Sequence, residues 1–488
     1  MVLSLEKGEE MKTLKIGLSS GINPLPAMQC KAAIFSAAAA HQAAVDLFED
    51  REEMRADAPT PRIGLADRKI ASLLSVKALE AAGCDEAILP DVKIQPYLEE
   101  VQKEVSIPIV PLFAGVEAYV KAKGIKRVGL LGSAVPAEYF KKSFGDALEW
   151  VDATEEELAE FEILQNPKTG LRKVGLTDVF NAKLLEIGRA MTARGAQCLI
   201  PNCTQMARFA TELQAAGLPL FDILRDAAER AVTQAPARQP IGFKIGMIGG
   251  LGPAATVDLY DKIVKATPAK TDQEHIKLVV EQNPQIPDRT AALLEGGEDP
   301  TLALFNCAKR LERDGCDAII VPCNTAHAFV PYLERYLHTP FINMQQTALD
   351  EIKAKLGDAA RIGLLATTGT VRTGIYGDKA KAMGIPLFVP DEAHQARVMA
   401  AIYGPQGAKA GYTDGVCRSD LLSAAEYLVK TYDCNCLILG CTELPLILDE
   451  SDAFSVAGKT VVVVDPTAAL ARRVVAVAEE ATAERGVR

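Results

Sequence analysis

Cys323 and Cys441 each close an apolar run, and each is followed by side chains able to hold an anion. The two stretches are Val321-Pro322-Cys323-Asn324-Thr325-Ala326-His327 and Leu439-Gly440-Cys441-Thr442-Glu443-Leu444, with the cysteines 118 residues apart. One buried cysteine is most often just a small apolar residue. Two at equivalent strand ends describe a pair of thiols facing each other across a cleft. A thiolate on one face of a bound molecule takes a proton from carbon while a thiol opposite gives one back, which inverts that carbon. Exchanging the two protonation states runs the reaction the other way. Proton exchange from a single face needs one cysteine, and phosphoryl or hydride transfer needs neither. The developing carbanion needs fixed donors around a carboxylate, often the largest single contribution to such a reaction, and Asn324 and Thr325 are of the right type. Both cysteines are expected at helix N-termini, where a thiol pKa falls from about 8.5 towards neutrality.

Other chemistry-bearing residues read less specifically. In "GMIGGLGPAATVDLY" (246–260), Gly249, Gly250 and Gly252 predict a tight strand–helix turn with Pro253 in the first helical turn. Exposed N–H groups there suit a carboxylate or phosphate, but Pro253 and Ala254 break the spacing of a dinucleotide fingerprint. His327, alone on its helix, reads as packing or helix-end chemistry. Glu443 reads equally as a partner that polarises the Cys441 thiol or as a helix-start charge. "CNCLILGC" (434–441) has no histidine and no second C-x-x-C nearby, so no metal is expected. There is no Walker loop and nothing that marks a cofactor lysine, so no cofactor is expected.

These residues must be positioned by a duplicated α/β frame. Lys15-Ile16-Gly17-Leu18 recurs as Lys244-Ile245-Gly246-Met247, and Gly83-Cys84-Asp85 recurs as Gly315-Cys316-Asp317. "RVGLLGS" (127–133) recurs as "RIGLLAT" (361–367), and "CLIPNCTQM" (198–206) as "CLILGCTEL" (436–444). The order is kept while the offset drifts from 229 to 238 residues, the pattern of a tandem duplication with small loop insertions. "TQAPARQP" (233–240) has linker composition, so the expected domains are 12–232 and 244–482, joined by 233–243. Strand-like runs alternate with amphipathic helical ones in each half, which predicts βαβ units and parallel sheets with ligands beyond the strands' carboxyl ends. A second run of such units starts at the "GLL" blocks, so each half is expected to hold two Rossmann-like lobes with a cleft between them.

Length and composition agree. The chain has 488 residues, too many for one ordinary core. Hydrophobic residues make up 49% and aromatics 6%, the aliphatic palette of buried parallel strands. A net charge of −11 without a long basic run argues against nucleic acid or anionic membrane as partners. "MVLSLEKGEEMKTLK" has no signal-peptide core, and "AAIFSAAAA" (32–40) is too short to span a bilayer. Eleven scattered cysteines fit free thiols in a reducing cytoplasm.

Residues 244–450 resemble the aspartate/glutamate racemase family, the PLP-independent two-cysteine amino-acid racemases, and most closely its aspartate racemase branch. The matching stretches are "GGLGPAAT", "NPQIPDRT", "PCNTAH", "LLATTGT" and "LGCTEL". The resemblance implies Cys323 and Cys441 as the acid/base pair and Asn324, Thr325, Thr367 and Thr442 as polar anchors. It implies Asp288 and Arg289 in the site, with the guanidinium gripping a substrate carboxylate. In "IYGPQGAKAG" (402–411) it implies Lys409 as a further substrate contact. The implied activity is interconversion of L- and D-aspartate, with glutamate as the other acidic substrate. Other reactions of the superfamily remain open, such as hydantoin racemisation or isomerisation of maleate, and so does a small-molecule-binding regulatory protein.

The first half resembles the same family more faintly. It keeps Asp67-Arg68 and Cys203-Thr204, but Asp91 stands where the second half has Cys323, and "SSGINPLPA" (19–27) replaces the Gly-rich turn. An aspartate with an ordinary pKa of about 3.9 is a poor substitute for a thiolate. Arg68, Asp91 and Cys203 therefore read as a vestigial site, against the alternative of an asymmetric Asp91/Cys203 pair. Members of the family pair as dimers, so the fusion is expected to form an internal pseudo-dimer, with a homo-oligomer also open.

Overall fold

The computed structural model describes residues 13–20, 24–50, 65–132, 137–144, 147–165, 178–207, 209–234 and 242–485. The chain divides into two compact units, Met1–Ile241 and Gly242–Arg488. Residue 12, positions 235–241 of the expected joint and positions 21–23 of the altered turn lie outside the described residues. Among the described residues no helix is long and apolar enough to cross a membrane. All eleven cysteines are buried, and none forms a disulfide among the described residues.

The first unit holds two parallel sheets. One contains β1 (Leu14–Ser19), β2 (Val45–Asp50), β3 (Glu86–Ile88) and β4 (Ile109–Val110) in the order β2-β1-β3-β4. The other contains β5 (Arg127–Leu131), β6 (Glu149–Val151) and β7 (Cys198–Pro201) in the order β6-β5-β7. The helix Ile223–Thr233 is capped by the Asp222 side chain, which accepts from Leu224 and Arg225 N–H, and it packs into the core shared with Ile16, Ile34 and Ile88.

The second unit repeats this plan. β8 (Lys244–Gly249), β9 (Lys277–Gln282) and β10 (Ala318–Ile320) form a sheet in the order β10-β8-β9. Its outer edge is extended by a parallel bridge from Ile319 to Phe341. The second lobe contains β11 (Ile362–Leu365), β12 (Leu387–Phe388), β13 (Cys436–Leu439), β14 (Ser451–Val456) and β15 (Lys459–Val464), in the order β12-β11-β13-β15-β14. Only β14 is antiparallel, paired with β15. In each lobe the chain leaves the first strand to one side and returns on the other, so a topological switch point lies beyond the carboxyl ends of β8 and β10 and of β11 and β13. Such crevices are where open α/β sheets bind ligands. Cys323 follows β10 and Cys441 follows β13.

The repeated glycines are explained by packing. Gly17, Gly129, Gly246 and Gly363 sit in β1, β5, β8 and β11, each paired on both sides. A β-carbon added at them would approach Leu79 at 2.9 Å, Met191 at 2.8 Å, Leu311 at 3.0 Å and Leu437 at 2.9 Å. At Gly17 and Gly246 the contact reaches the β-carbon of a leucine on a covering helix at 3.0 Å, so a methyl group would push that helix off the sheet, whereas at Gly129 only the side-chain ends of Met191 and Leu199 would have to move.

Two features tie the second unit's lobes together. The final helix, Pro466–Arg485, starts in the second lobe but buries Leu470, Ala471, Val474 and Ala478 against Ile245, Met247, Leu259 and Ile320 of the first. Leu470 and Val474, both fully buried, contribute about 1.5–3 kcal/mol each. At its start, Lys262 Nζ lies 2.5 Å from Asp465 Oδ2 and 2.9 Å from Thr467 Oγ1, pinning the helix Pro253–Ala266 to the end of β15.

Candidate active site

The two cysteines of the second unit line one cavity. From the first lobe come Leu251, Arg289, Thr290, Cys323, Asn324 and Thr325; from the second come Thr367, Tyr403, Lys409, Cys441, Thr442 and Glu443. The cavity measures about 10 Å³, close to the space of one water, so the lobes are closed on each other. Thr325 bridges them. Its Oγ1 lies 3.2 Å from Thr367 Oγ1 and 2.9 Å from Thr370 Oγ1. Gly369 allows the approach, because a β-carbon there would sit 3.1 Å from Thr290 Oγ1.

Arg289 is positioned by the turn before it. Asp288 caps the helix Arg289–Leu294, its Oδ1 accepting from Ala291 N–H at 2.8 Å. The carboxylate expected in the site is thus engaged as a cap and is not among the cavity-lining residues; its other oxygen lies 3.5 Å from the Tyr403 hydroxyl. The Arg289 guanidinium is buried and braced by backbone: Nη1 donates to Pro287 O at 3.0 Å and Ile286 O at 3.4 Å, and Nη2 donates to Leu251 O at 3.2 Å. Nε has no partner. Burial alone would lower its pKa, but the Cys323 sulfur beside it raises it above the usual value.

Asn324 is held from two sides. Tyr376 Oη donates to its Oδ1 at 2.7 Å, and Gln345 Nε2 donates to its carbonyl at 3.1 Å. These bonds fix the amide so that Nδ2, buried and without a partner among the described residues, remains a donor at the cavity wall. Tyr376 and Gln345 carried no signal in the sequence, because each acts through Asn324, distant along the chain; Thr370 closes the "LLATTGT" stretch but was not singled out as a site residue.

His327 lies behind the wall and does not line the cavity. Its Nδ1 is 2.9 Å from Cys323 O, and Met344 N–H donates to Nε2 at 3.4 Å. Nε2 is therefore the acceptor and Nδ1 carries the hydrogen, the neutral tautomer. Burial pushes the pKa down to about 4 from 6.5. The unfolded chain binds this proton between those values and the folded one does not, so stability is independent of the group above pH 6.5 and is lost as pH falls towards 4. The loss expected from His327 is at most about 3 kcal/mol. Urea unfolding of the parent and of His327→Gln at pH 7 and 4.5 checks it: the variant should lose less stability on acidification.

The surroundings of Cys441 correct an expectation. The thiols were expected at helix N-termini that lower their pKa, but Cys323 is followed by the 3₁₀ turn Thr325–Ala328 and Cys441 by the three-residue 3₁₀ turn Leu444–Leu446. A turn this short has little dipole to offer. Burial instead raises the Cys441 thiol well above its ordinary value, and the Glu443 carboxylate adds to the rise. Cys441 Sγ donates to Glu443 Oε2 at 3.0 Å, and Lys409 Nζ lies 2.5 Å from Glu443 Oε1. Thr442 Oγ1 is 3.4 Å from Glu443 Oε2. The glycine-rich turn contributes here as well: Gly252 has φ +117°, and a β-carbon there would stand 2.5 Å from Glu443 Oε1. The anion that this turn faces is thus a carboxylate of the chain itself. Cys323 meets a guanidinium and Cys441 a carboxylate.

Lys409 enters the cavity from the 3₁₀ turn Ala408–Ala410, beside Tyr403, whose ring centroid is 5.3 Å from Nζ. Burial pushes the Tyr403 hydroxyl up to about 12, with Asp288 adding to the effect. Thr290 and Tyr403 complete the wall; both lie inside the matching stretches "NPQIPDRT" and "IYGPQGAKAG", though neither was singled out as a substrate contact.

The first unit differs at the equivalent place. Arg68 Nη1 lies 2.6 Å from Asp91 Oδ2, and Asp91 Oδ1 accepts from Lys93 N–H at 2.9 Å, capping the 3₁₀ turn Val92–Tyr97. Cys203 follows β7 and is buried.

Comparison with known proteins adds to this geometry. The model of a family described as Asp/Glu/Hydantoin racemase matches residues 21–231 and again residues 248–474. The broad specificity amino-acid racemase RacX of Bacillus subtilis is 25% identical over 239 residues, covering 47% of this chain and 96% of that protein. A glutamate racemase of Shewanella sp. (strain MR-4) is 31% identical over 184 residues, covering 36% of this chain and 61% of the relative. Among solved structures, Picrophilus torridus aspartate racemase is 30% identical, covering 51% of this chain and 96% of that one, with a TM-score of 0.40.

Proposed function

The chain belongs to the Asp/Glu/hydantoin racemase family, and we propose that its second unit racemises an acidic amino acid, aspartate before glutamate, without a cofactor. The observation that carries this reading is the pair of buried thiols, one from each lobe's switch point, lining a single cavity with Arg289, Asn324 and Lys409. In the proposed reaction the substrate α-carboxylate is held by Arg289 and by the Asn324 amide, with Thr325, Thr367 and Thr442 as further polar contacts. Cys323, entering as thiolate, takes the α-proton. The electron pair of that C–H bond passes into the carboxylate-stabilised carbanion, and Cys441 delivers its own proton to the opposite face. The opposite enantiomer is consumed with the two protonation states exchanged. Substrate entry requires the lobes to part, because the closed cavity has no room for an amino acid.

The first unit is proposed to be non-catalytic. Its arginine is already paired with Asp91, and that carboxylate is doubly engaged where the second unit has a thiol.

The test is incubation with L-aspartate in D₂O, without pyridoxal phosphate, following α-deuterium by NMR together with optical rotation. Deuterium incorporation accompanied by loss of rotation is expected. No exchange with aspartate, glutamate or any other amino acid would refute the racemase reading.

A further inference from the structure

The cavity holds two cations, and only one of them is matched by a carboxylate. Lys409 Nζ lies 2.5 Å from Glu443 Oε1, and the Glu443 side chain is 5% exposed. Burial alone would lower the Lys409 ammonium, yet the Glu443 carboxylate carries it up to about 12. Gly252 leaves room for Oε1, while Oε2 takes the Cys441 thiol. Arg289, by contrast, has no ion pair among the described residues and spends its Nη groups on three backbone carbonyls. A ligand with one carboxylate needs one cation that no carboxylate already holds, and Arg289, beside the Cys323 sulfur, is that cation. A second ligand carboxylate can reach Lys409 only where Glu443 already sits, and two carboxylates crowded on one ammonium repel each other strongly in a buried site.

We infer that Glu443 is a specificity-determining counter-charge: it occupies Lys409 in the place a substrate's side-chain carboxylate would take, and so limits the advantage of acidic over neutral amino acids. The inference rests on the amino-acid reading of the site, and Glu443 acts through Lys409. An acidic substrate has to displace or protonate Glu443 before its second carboxylate gains anything from the lysine. A neutral side chain leaves the pair intact.

The test uses ligands that cannot turn over. Succinate carries two carboxylates and no amino group, and butyrate carries one carboxylate on the same number of carbons. Binding of each is measured by calorimetry to the full-length parent, to Glu443→Gln, to Lys409→Met and to the double variant. Glu443→Gln is expected to bind succinate about tenfold more tightly than the parent, with butyrate unchanged, and the gain should vanish when Lys409→Met is added. An equal gain for both acids, no gain for succinate, or a gain that survives Lys409→Met would overturn the inference. So would failure of every variant to bind succinate, since a free Lys409 beside Arg289 must hold it. Glu443→Asn serves in the same role if the glutamine variant does not fold. If the succinate results appear but the parent exchanges no α-proton, the counter-charge stands and the racemase reading falls.

Discussion

Cys441→Ala and Cys323→Ala are each expected to lose at least about a thousandfold in racemisation, the scale of removing one acid–base group, because inversion needs a proton taken on one face and returned on the other. Single-face exchange should survive. In D₂O, each variant should still wash out the α-proton of the one enantiomer whose hydrogen faces the remaining thiol, without inverting it. The pair of variants thus assigns each thiol to one enantiomer. Cys203→Ala in the first unit should keep parental turnover. Retention of turnover within about tenfold of the parent in either second-unit variant would remove the two-thiol site.

A subtler consequence follows from the unequal charges at the two thiols. Burial and Glu443 keep Cys441 protonated, so the free-enzyme form in which Cys441 is the base is scarce. The enantiomer that needs this form binds with an apparent constant weakened by that fraction. The two enantiomers are equal in energy, so kcat/KM must match in both directions. The enantiomer whose α-hydrogen faces Cys441 should therefore show both the higher KM and the higher kcat.

The second large effect is expected at Arg289. Arg289→Lys keeps the charge but loses the planar fork, and a point charge on a flexible stem does not replace it. A drop of about a hundredfold in kcat/KM is expected, from loss of a charge-assisted contact of about 3 kcal/mol. Stability should fall too, because the carbonyls of Leu251, Ile286 and Pro287 lose their donors, a cost of about 1–3 kcal/mol. Kinetics and urea unfolding separate these effects. A variant that is less stable but keeps its kcat/KM would make Arg289 a brace for the turn and nothing more.

Much of this was legible from residue order. Repeated blocks such as Lys244-Ile245-Gly246 and Arg361-Ile362-Gly363 carry the strand pattern and the close helix approach in the same three residues, so duplication and α/β class are local properties of the text. The thiols, the Asn324-Thr325 pair and Arg289 were visible because each follows a strand or turn that is itself readable. Lys409 lies in the least distinctive motif, and it stands in the cavity beside Tyr403. The charge state of the site was not legible. A cysteine at a strand end suggested a helix start and a lowered pKa, yet the following turn is three residues long and burial dominates.

What the sequence by itself determined, then, is which residues can do the chemistry and on which strand ends they stand, because periodicity and turn composition are short-range. What only the tertiary structure decided is who meets whom. Lys409 reaches Glu443 from 34 residues away, and Gly252 makes room for that carboxylate from the other lobe. Asp288 is spent on a cap, and Asp91 is tied to Arg68. Of these contacts only the one between Gly252 and Glu443 crosses between the lobes; the others arise within a lobe, and electrostatics in a buried cavity depends on distances that spacing along a chain does not carry.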